Sequence, residues 1–380
     1  MNLLVVATPL GPLGSGRGGG VELTLAGLVA GLLDRGHGLT VLAAEGSALP
    51  QDCGAARLWT CSGAVQASAQ HQRRDAPISL PADGLLPRLW RRVLAEAPSQ
   101  GFTAVINLAY DWLPLWLTPT APLPIFHLVS MGSVSDAMDA AIAEVAAWDQ
   151  RRLAFHTRSQ AADFALPQPP VVVGNGFDLA AYSVCADPGP LLGWVGRVAP
   201  EKGLEDAAAA AARLGARLAV WGLVEDPDYA AAVEASVPAG TLEWRGFLPT
   251  AALQAELGRC RALLNTPKWN EAYGNVVVEA MACGVPVVAY RRGGPAELVQ
   301  PGVNGFLVEP DDVTALAEAV ARVETIERSA CRRWAETHAS RAVLAQRIET
   351  WLERGLTGAT RGRGAGSASP AGSPAAEAAQ

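Results

Sequence analysis

No stretch of the 380 residues approaches the roughly 18 consecutive apolar residues needed to cross a bilayer, so an ordinary membrane span is excluded. Cysteine is sparse. The six copies, at 53, 61, 185, 260, 283 and 331, form no C-x-x-C pair and no zinc-ligand spacing, and are expected to be reduced and structural. The opening M-N-L-L-V-V-A-T-P lacks a basic leader and a long apolar run, so it is expected to be a first β-strand and not a secretion signal. A cytoplasmic protein without stable membrane insertion is the expectation. Positive charge is also short: 37 acidic residues outweigh 30 basic ones, a net charge of −7, which argues against a nucleic-acid partner. Lysine itself is nearly missing, with Lys202 and Lys268 the only two copies among those 30.

What remains is globular in composition, half hydrophobic and 18 % charged, and too long for one compact core. Short apolar runs alternate with amphipathic stretches: Leu3 to Ala7, a helix from Gly20 to Arg35, then Leu39 to Ala43. Further strands are expected at Ala104 to Leu108, Ile125 to Leu128, Leu153 to His156 and Val171 to Val173. A second set follows at Leu191 to Val195, Arg217 to Trp221, Leu242 to Arg245, Ala262 to Asn265 and Val285 to Ala289. Strand-helix-strand units build parallel sheets whose ligands lie at the carboxyl ends of the strands. The expected division is a first domain over 1–166, a proline-stiffened hinge over 167–188, a second domain over 189–331, terminal helices over 332–355 anchored by Trp334 and Trp351, and a low-complexity tail over 356–380.

Chemistry concentrates in E-A-Y-G-N-V-V-V-E-A-M-A-C-G-V-P-V-V-A, which carries Glu271 and Glu279 eight positions apart. A helix is expected from Gly274 or Asn275 to Cys283, stopped by Gly284 and Pro286. Its start leaves N–H donors at Gly274, Asn275 and Val276 for a phosphate or sugar hydroxyl. Glu279 shares a face with Asn275, and Glu271 precedes the helix, so two carboxylates flank whatever the helix end holds. The structural alternative is a first-turn glutamate and a solvated loop residue. After the first strand, G-P-L-G-S-G-R-G-G-G-V-E-L-T-L brings Gly18, Gly19 and Gly20 to a helix start, where a backbone can approach a diphosphate. G-W-V-G-R-V-A-P-E-K-G-L sets Arg197 and Lys202 five apart behind another strand, suited to neutralising a diphosphate leaving group.

These strings resemble retaining glycosyltransferases of family 4, in the E-x7-E signature, the G-R-x-x-x-x-K-G pattern and the glycine loop. The resemblance implies the GT-B fold, an α/β architecture of two Rossmann-like, doubly wound parallel-sheet domains facing a cleft. It implies a nucleotide-sugar donor held by Gly18, Gly19, Gly20, Arg197, Lys202, Gly274, Asn275, Val276 and Glu279, with Glu271 on the hexose hydroxyls and Glu279 on the ribose. His127, in I-F-H-L-V-S-M-G-S, stands where relatives carry a histidine beside the reacting sugar, although a lone histidine is more often a core or surface residue. Where many relatives have a histidine-rich segment this chain has Tyr110, Asp111 and Trp112. With His127 and Met131 these are the candidate acceptor contacts, suited to gripping a flat heterocycle. Trp112 and Trp116, four apart, read equally well as a helical packing pair. The first-domain strings are similar to a narrower group, the pteridine glucosyltransferases, which implies UDP-glucose as donor and a pterin such as tetrahydrobiopterin as small-molecule acceptor. Lipid, sugar or other secondary-metabolite acceptors fit the same cleft. A nucleotide-sugar epimerase and a non-catalytic nucleotide-sugar binder are the rival readings. E-D-P-D at 225 to 228 is expected to cap a helix, and no cofactor or metal is expected.

Overall fold

The structure is a computed structural model that describes residues 1–15 and 18–357. Most of the low-complexity tail, and Gly16 and Arg17 of the glycine loop, lie outside the described residues.

Among the described residues, twelve strands form two parallel sheets of six. The first contains β1 (Asn2–Val6), β2 (Gly38–Ala44), β3 (Arg57–Cys61), β4 (Ala104–Asn107), β5 (Ile125–Val129) and β6 (Leu153–Phe155), in the order β3-β2-β1-β4-β5-β6. The second contains β7 (Leu192–Val195), β8 (Leu218–Trp221), β9 (Leu242–Gly246), β10 (Ala262–Asn265), β11 (Val287–Tyr290) and β12 (Gly305–Val308), in the order β12-β11-β10-β7-β8-β9. Each sheet starts in its middle and reverses direction once, which opens a crevice between β1 and β4 in one lobe and β7 and β10 in the other. The central strands read as unbroken apolar runs because helices cover both faces; Leu3 to Val6 are wholly inaccessible. This is the GT-B arrangement, with the two crevices facing one cleft.

Two strands, β3 and β12, were not expected from the sequence. The exposed and half-buried pattern of β3 marks it as an edge, and β12 is four residues opening on glycine. Val171 to Val173 is not a strand of the sheet. Pro169 and Pro170 lead into it, and only a bridge joins Phe155 to Val172. Pro286 supplies a carbonyl to Leu263 but has no N–H of its own, so β11 begins at Val287.

The last two helices serve different lobes. Arg328–His338 buries Trp334 in the second lobe beside Met281 and Ala335. Arg341–Thr357 crosses back and closes the core of the first, where Leu344, Ile348 and Trp351 meet Leu28, Leu32 and Phe126. Trp351 stands edge-on to Phe126 at 5.3 Å and donates its indole N–H to the Arg151 carbonyl at 2.8 Å. That crossing depends on glycine in the helix Gly20–Asp34: a Cβ on Gly31 would lie 2.7 Å from the Arg341 carbonyl, and one on Gly27 2.2 Å from that of Gly176. Among the described residues no helix is long and apolar enough to cross a membrane.

Candidate functional site

A cleft of about 730 Å³ lies between the lobes. Its walls are the segments that leave the carboxyl ends of strands in both sheets, where parallel α/β sheets place their ligands. From the first lobe come Thr8 and Gly18 to Gly20 beyond β1, the segment from Val65 to Pro81 beyond β3, Tyr110 to Trp112 beyond β4, Met131 beyond β5 and His156 beyond β6. The second lobe contributes Arg197 and Lys202 beyond β7, Trp269 and Glu271 beyond β10, and the start of the helix Asn275–Ala282.

That helix is set by Gly274, which caps it in the left-handed region at φ 98°, a conformation costly for any side chain. Its first N–H groups have no intrahelical partners by geometry, and Gly274, Asn275 and Val276 all line the cleft. Asn275 fixes the helix start to both the hinge and the other lobe. Its amide oxygen accepts from Asn175 at 2.9 Å and its amide nitrogen donates to the Gly20 carbonyl at 3.3 Å, while Asn175 also donates to Thr24 at 2.9 Å. A Cβ on Gly20 would sit 2.7 Å from the Asn275 amide, so the glycine permits the lobes to meet here. Gly18 belongs to a small clasp: its N–H and that of Gly14 donate to the two oxygens of Glu22, at 2.8 and 2.9 Å.

In the cleft the cations are neutralised by carboxylates. Lys202 pairs with Glu271 and lies 5.2 Å from the centre of the Trp269 ring; Arg197 pairs with Glu201 at 2.8 Å and with Glu225. A chain that holds its cations against its own acids in this way offers an incoming anion charge that is already gathered and oriented. Asp226 of the E-D-P-D segment accepts the Tyr229 N–H at 2.9 Å and caps the helix Pro227–Ala235, as expected.

Two expected site residues lie elsewhere. His127 is inside β5, two residues short of its end, with 2 % of its surface exposed. Asn107 contacts its Nδ1 at 3.1 Å and Thr118 its Nε2 at 2.7 Å, so both ring nitrogens are occupied, and burial holds its pKa down at about 3. It is a core histidine and does not reach the cleft. Glu279 stands in the second turn of its helix, beneath the cleft wall; it accepts the Tyr182 hydroxyl at 3.3 Å, and burial raises its carboxyl to about 7 against the smaller opposing effect of that bond. It does not line the cleft.

His71 and His156 line the cleft, and of the two His156 is the buried one. It is 4 % exposed, donates from Nδ1 to the Gly174 carbonyl at 2.7 Å, and packs against Tyr273. That bond fixes the tautomer, leaves Nε2 as an acceptor for which no partner is found among the described residues, and burial keeps the ring neutral. The signal was its position directly after the L-A-F strand. The segment from Val65 to Pro81 was also missed, because it carries no motif.

On the first-lobe wall, Tyr110 donates to the Gly132 carbonyl at 3.1 Å, and Trp112 is stacked on Trp116 with ring centres 5.6 Å apart. Trp112 is thus both a packing partner and part of the wall. Burial raises the Asp111 carboxyl to about 6, with the Trp112 and Leu113 N–H groups and the Gln66 amide opposing the rise.

Residues 184–341 match the family model of glycosyl transferases group 1. The match falls mainly on the second lobe, which is thus similar to group 1 glycosyl transferases. The chain is 38 % identical over 144 residues to 2-deoxystreptamine N-acetyl-D-glucosaminyltransferase of Streptomyces fradiae, a match covering 36 % of this chain and 34 % of that protein. GDP-mannose-dependent alpha-mannosyltransferase of Mycolicibacterium smegmatis is 36 % identical over 189 residues, 47 % of each protein. The chain therefore spans less than half the length of these curated relatives. Across the whole fold, Anabaena HepE in complex with UDP-glucose superposes with a TM-score of 0.68 at 19 % identity, covering 93 % of this chain and all of that one. The matched segment contributes Arg197, Lys202, Glu271 and the helix start at Gly274 to the cleft.

Proposed function

We propose that the protein is a retaining hexosyltransferase that moves glucose from UDP-glucose to a pterin such as tetrahydrobiopterin, in the cytoplasm and without a metal. The observation that carries the transferase reading is the convergence of Lys202, Arg197 and a free helix start on one cleft wall, facing the glycine loop of the other lobe. An entering diphosphate takes Arg197 and Lys202 from their carboxylates. Glu271, released from Lys202, then accepts hydrogen bonds from hexose hydroxyls. As the bond between the anomeric carbon and the β-phosphate oxygen breaks, charge grows on the diphosphate, where the two cations and the N–H groups at Asn275 and Val276 stabilise it. The acceptor hydroxyl forms its new bond on the same face of the sugar and passes its proton to the departing phosphate oxygen. His156, not His127, is the histidine that meets the reacting sugar.

The group 1 match and the fold shared with a UDP-glucose complex support the donor class, and the GDP-mannose-dependent relative makes the base and hexose the first things to measure. Tyr110, Asp111, Trp112 and Met131 on the opposite wall support a flat polar acceptor. The test is incubation with radiolabelled nucleotide sugars, alone and with pterin, aminocyclitol and lipid acceptors, followed by mass analysis. Labelled pterin supports the full reading. Label on another acceptor retains the transferase and removes the pterin; a new sugar isomer from donor alone identifies an epimerase, and binding without conversion identifies a sensor.

A further inference from the structure

Gln66 belongs to the segment from Val65 to Pro81, which joins β3 to the helix Leu85–Glu96 and forms one side of the cleft. Its backbone N–H is tied to the Pro9 carbonyl at 3.0 Å, and its amide nitrogen donates to Asp111 Oδ2 at 3.3 Å. The opposite amide orientation would set oxygen against carboxylate oxygen, so the carboxylate fixes the flip. Gln66 Oε1 is then left buried without a partner among the described residues. Asp111 is itself stripped of much of its water. A carboxylate has about four lone-pair directions, and one long neutral N–H bond together with two helix-start N–H groups leaves capacity for more. The wall thus carries acceptors in need of donors, beside the indole plane of Trp112.

We propose that Asp111 selects acceptors presenting two adjacent N–H donors on one planar edge, as a 2-aminopyrimidinone does, and that Gln66 is the residue that positions its carboxylate. The inference rests on the acceptor side of the reading above and deepens it. Two parallel N–H donors match a carboxylate in the way a guanidinium does. An edge that replaces one N–H by a carbonyl sets oxygen against oxygen and strands the carboxylate in a poorly hydrated site.

The test uses two pteridines with the same hydroxylated side chain, one 2-amino-4-oxo and one 2,4-dioxo, as acceptors with UDP-glucose. The wild type is expected to favour the amino compound in kcat/KM by roughly 10- to 100-fold, the scale of a hydrogen bond to a charged group. In Asp111→Asn the side chain offers one acceptor and one donor, so the preference should fall to parity or invert, with most of the change in KM. Gln66→Leu should reduce the preference in the same direction as Asp111→Asn but less, with most of the change in KM for the amino compound, a pattern that general misfolding does not produce; UDP titration by calorimetry checks that each variant keeps its donor site. Equal wild-type kcat/KM on both compounds, or variants that change both alike, overturns the inference and leaves the pterin reading standing. Failure of the wild type on both pteridines, with transfer to another class, instead sinks the reading on which the inference rests.

Discussion

At the scale of single residues, two histidines separate the readings of the sequence from the molecule. His127 was singled out because it follows an apolar pair in a strand, but β5 runs on to Val129 and keeps it within the sheet. His156 directly follows the last residue of β6, whereas His127 lies two residues before the end of β5, and that difference in depth decides which ring meets the cleft. Depth along a strand is set by tertiary packing, which local pattern does not encode. Replacing His127 by alanine removes one buried partner each from Asn107 and Thr118 and opens a void, and should cost about 2–4 kcal/mol in urea unfolding, with near-normal turnover of the folded fraction. His156→Phe should lower kcat at least about ten-fold, at a stability cost set mainly by the Gly174 carbonyl left without its donor. Lys202→Ala should lower turnover by roughly 10²- to 10³-fold while thermal unfolding stays cooperative; near-normal turnover would remove this lysine from the chemistry.

At the scale of elements, the helix Asn275–Ala282 was legible in advance because its cap, its stop and its charged residues are all local in sequence. The burial of Glu279 was not, since it depends on Tyr182 arriving from a segment 97 residues away. This carboxyl carries a pH signature. Its folded pKa, about 7, lies above the ordinary value of 4.5, so the folded protein binds the extra proton between those limits. The stability it contributes is complete below pH about 4.5 and is lost as pH rises through about 7. His127, with its pKa lowered to about 3, contributes in the opposite sense, and Asp111 in the same sense up to about 6. Comparison isolates the glutamate. Urea midpoints of wild type and Glu279→Gln measured from pH 4.5 to 8 should diverge, the variant gaining relative to wild type as pH rises; parallel curves would show that the carboxyl is not held protonated.

For the whole molecule, the two alternating strand sets and the glycine-bearing loops foretold paired parallel sheets around a cleft, because apolar strand runs alternate with helical stretches along most of each half. The return of the helix Arg341–Thr357 to the first lobe was hidden, for nothing in A-V-L-A-Q-R-I-E-T-W-L names its partner. Ending the chain at 340 should therefore expose the faces of Leu28, Leu32 and Phe126 and unfold the first lobe, whose helical signal in circular dichroism should fall beyond the loss of one helix. A chain that kept both lobes folded would show the crossing to be dispensable. The most direct measurement of the central claim is mass analysis of the protein incubated with UDP-glucose and tetrahydrobiopterin in EDTA. The account predicts a pterin carrying one α-linked hexosyl group and an equal yield of UDP, whereas donor returned intact, or isomerised with the pterin unchanged, would contradict it.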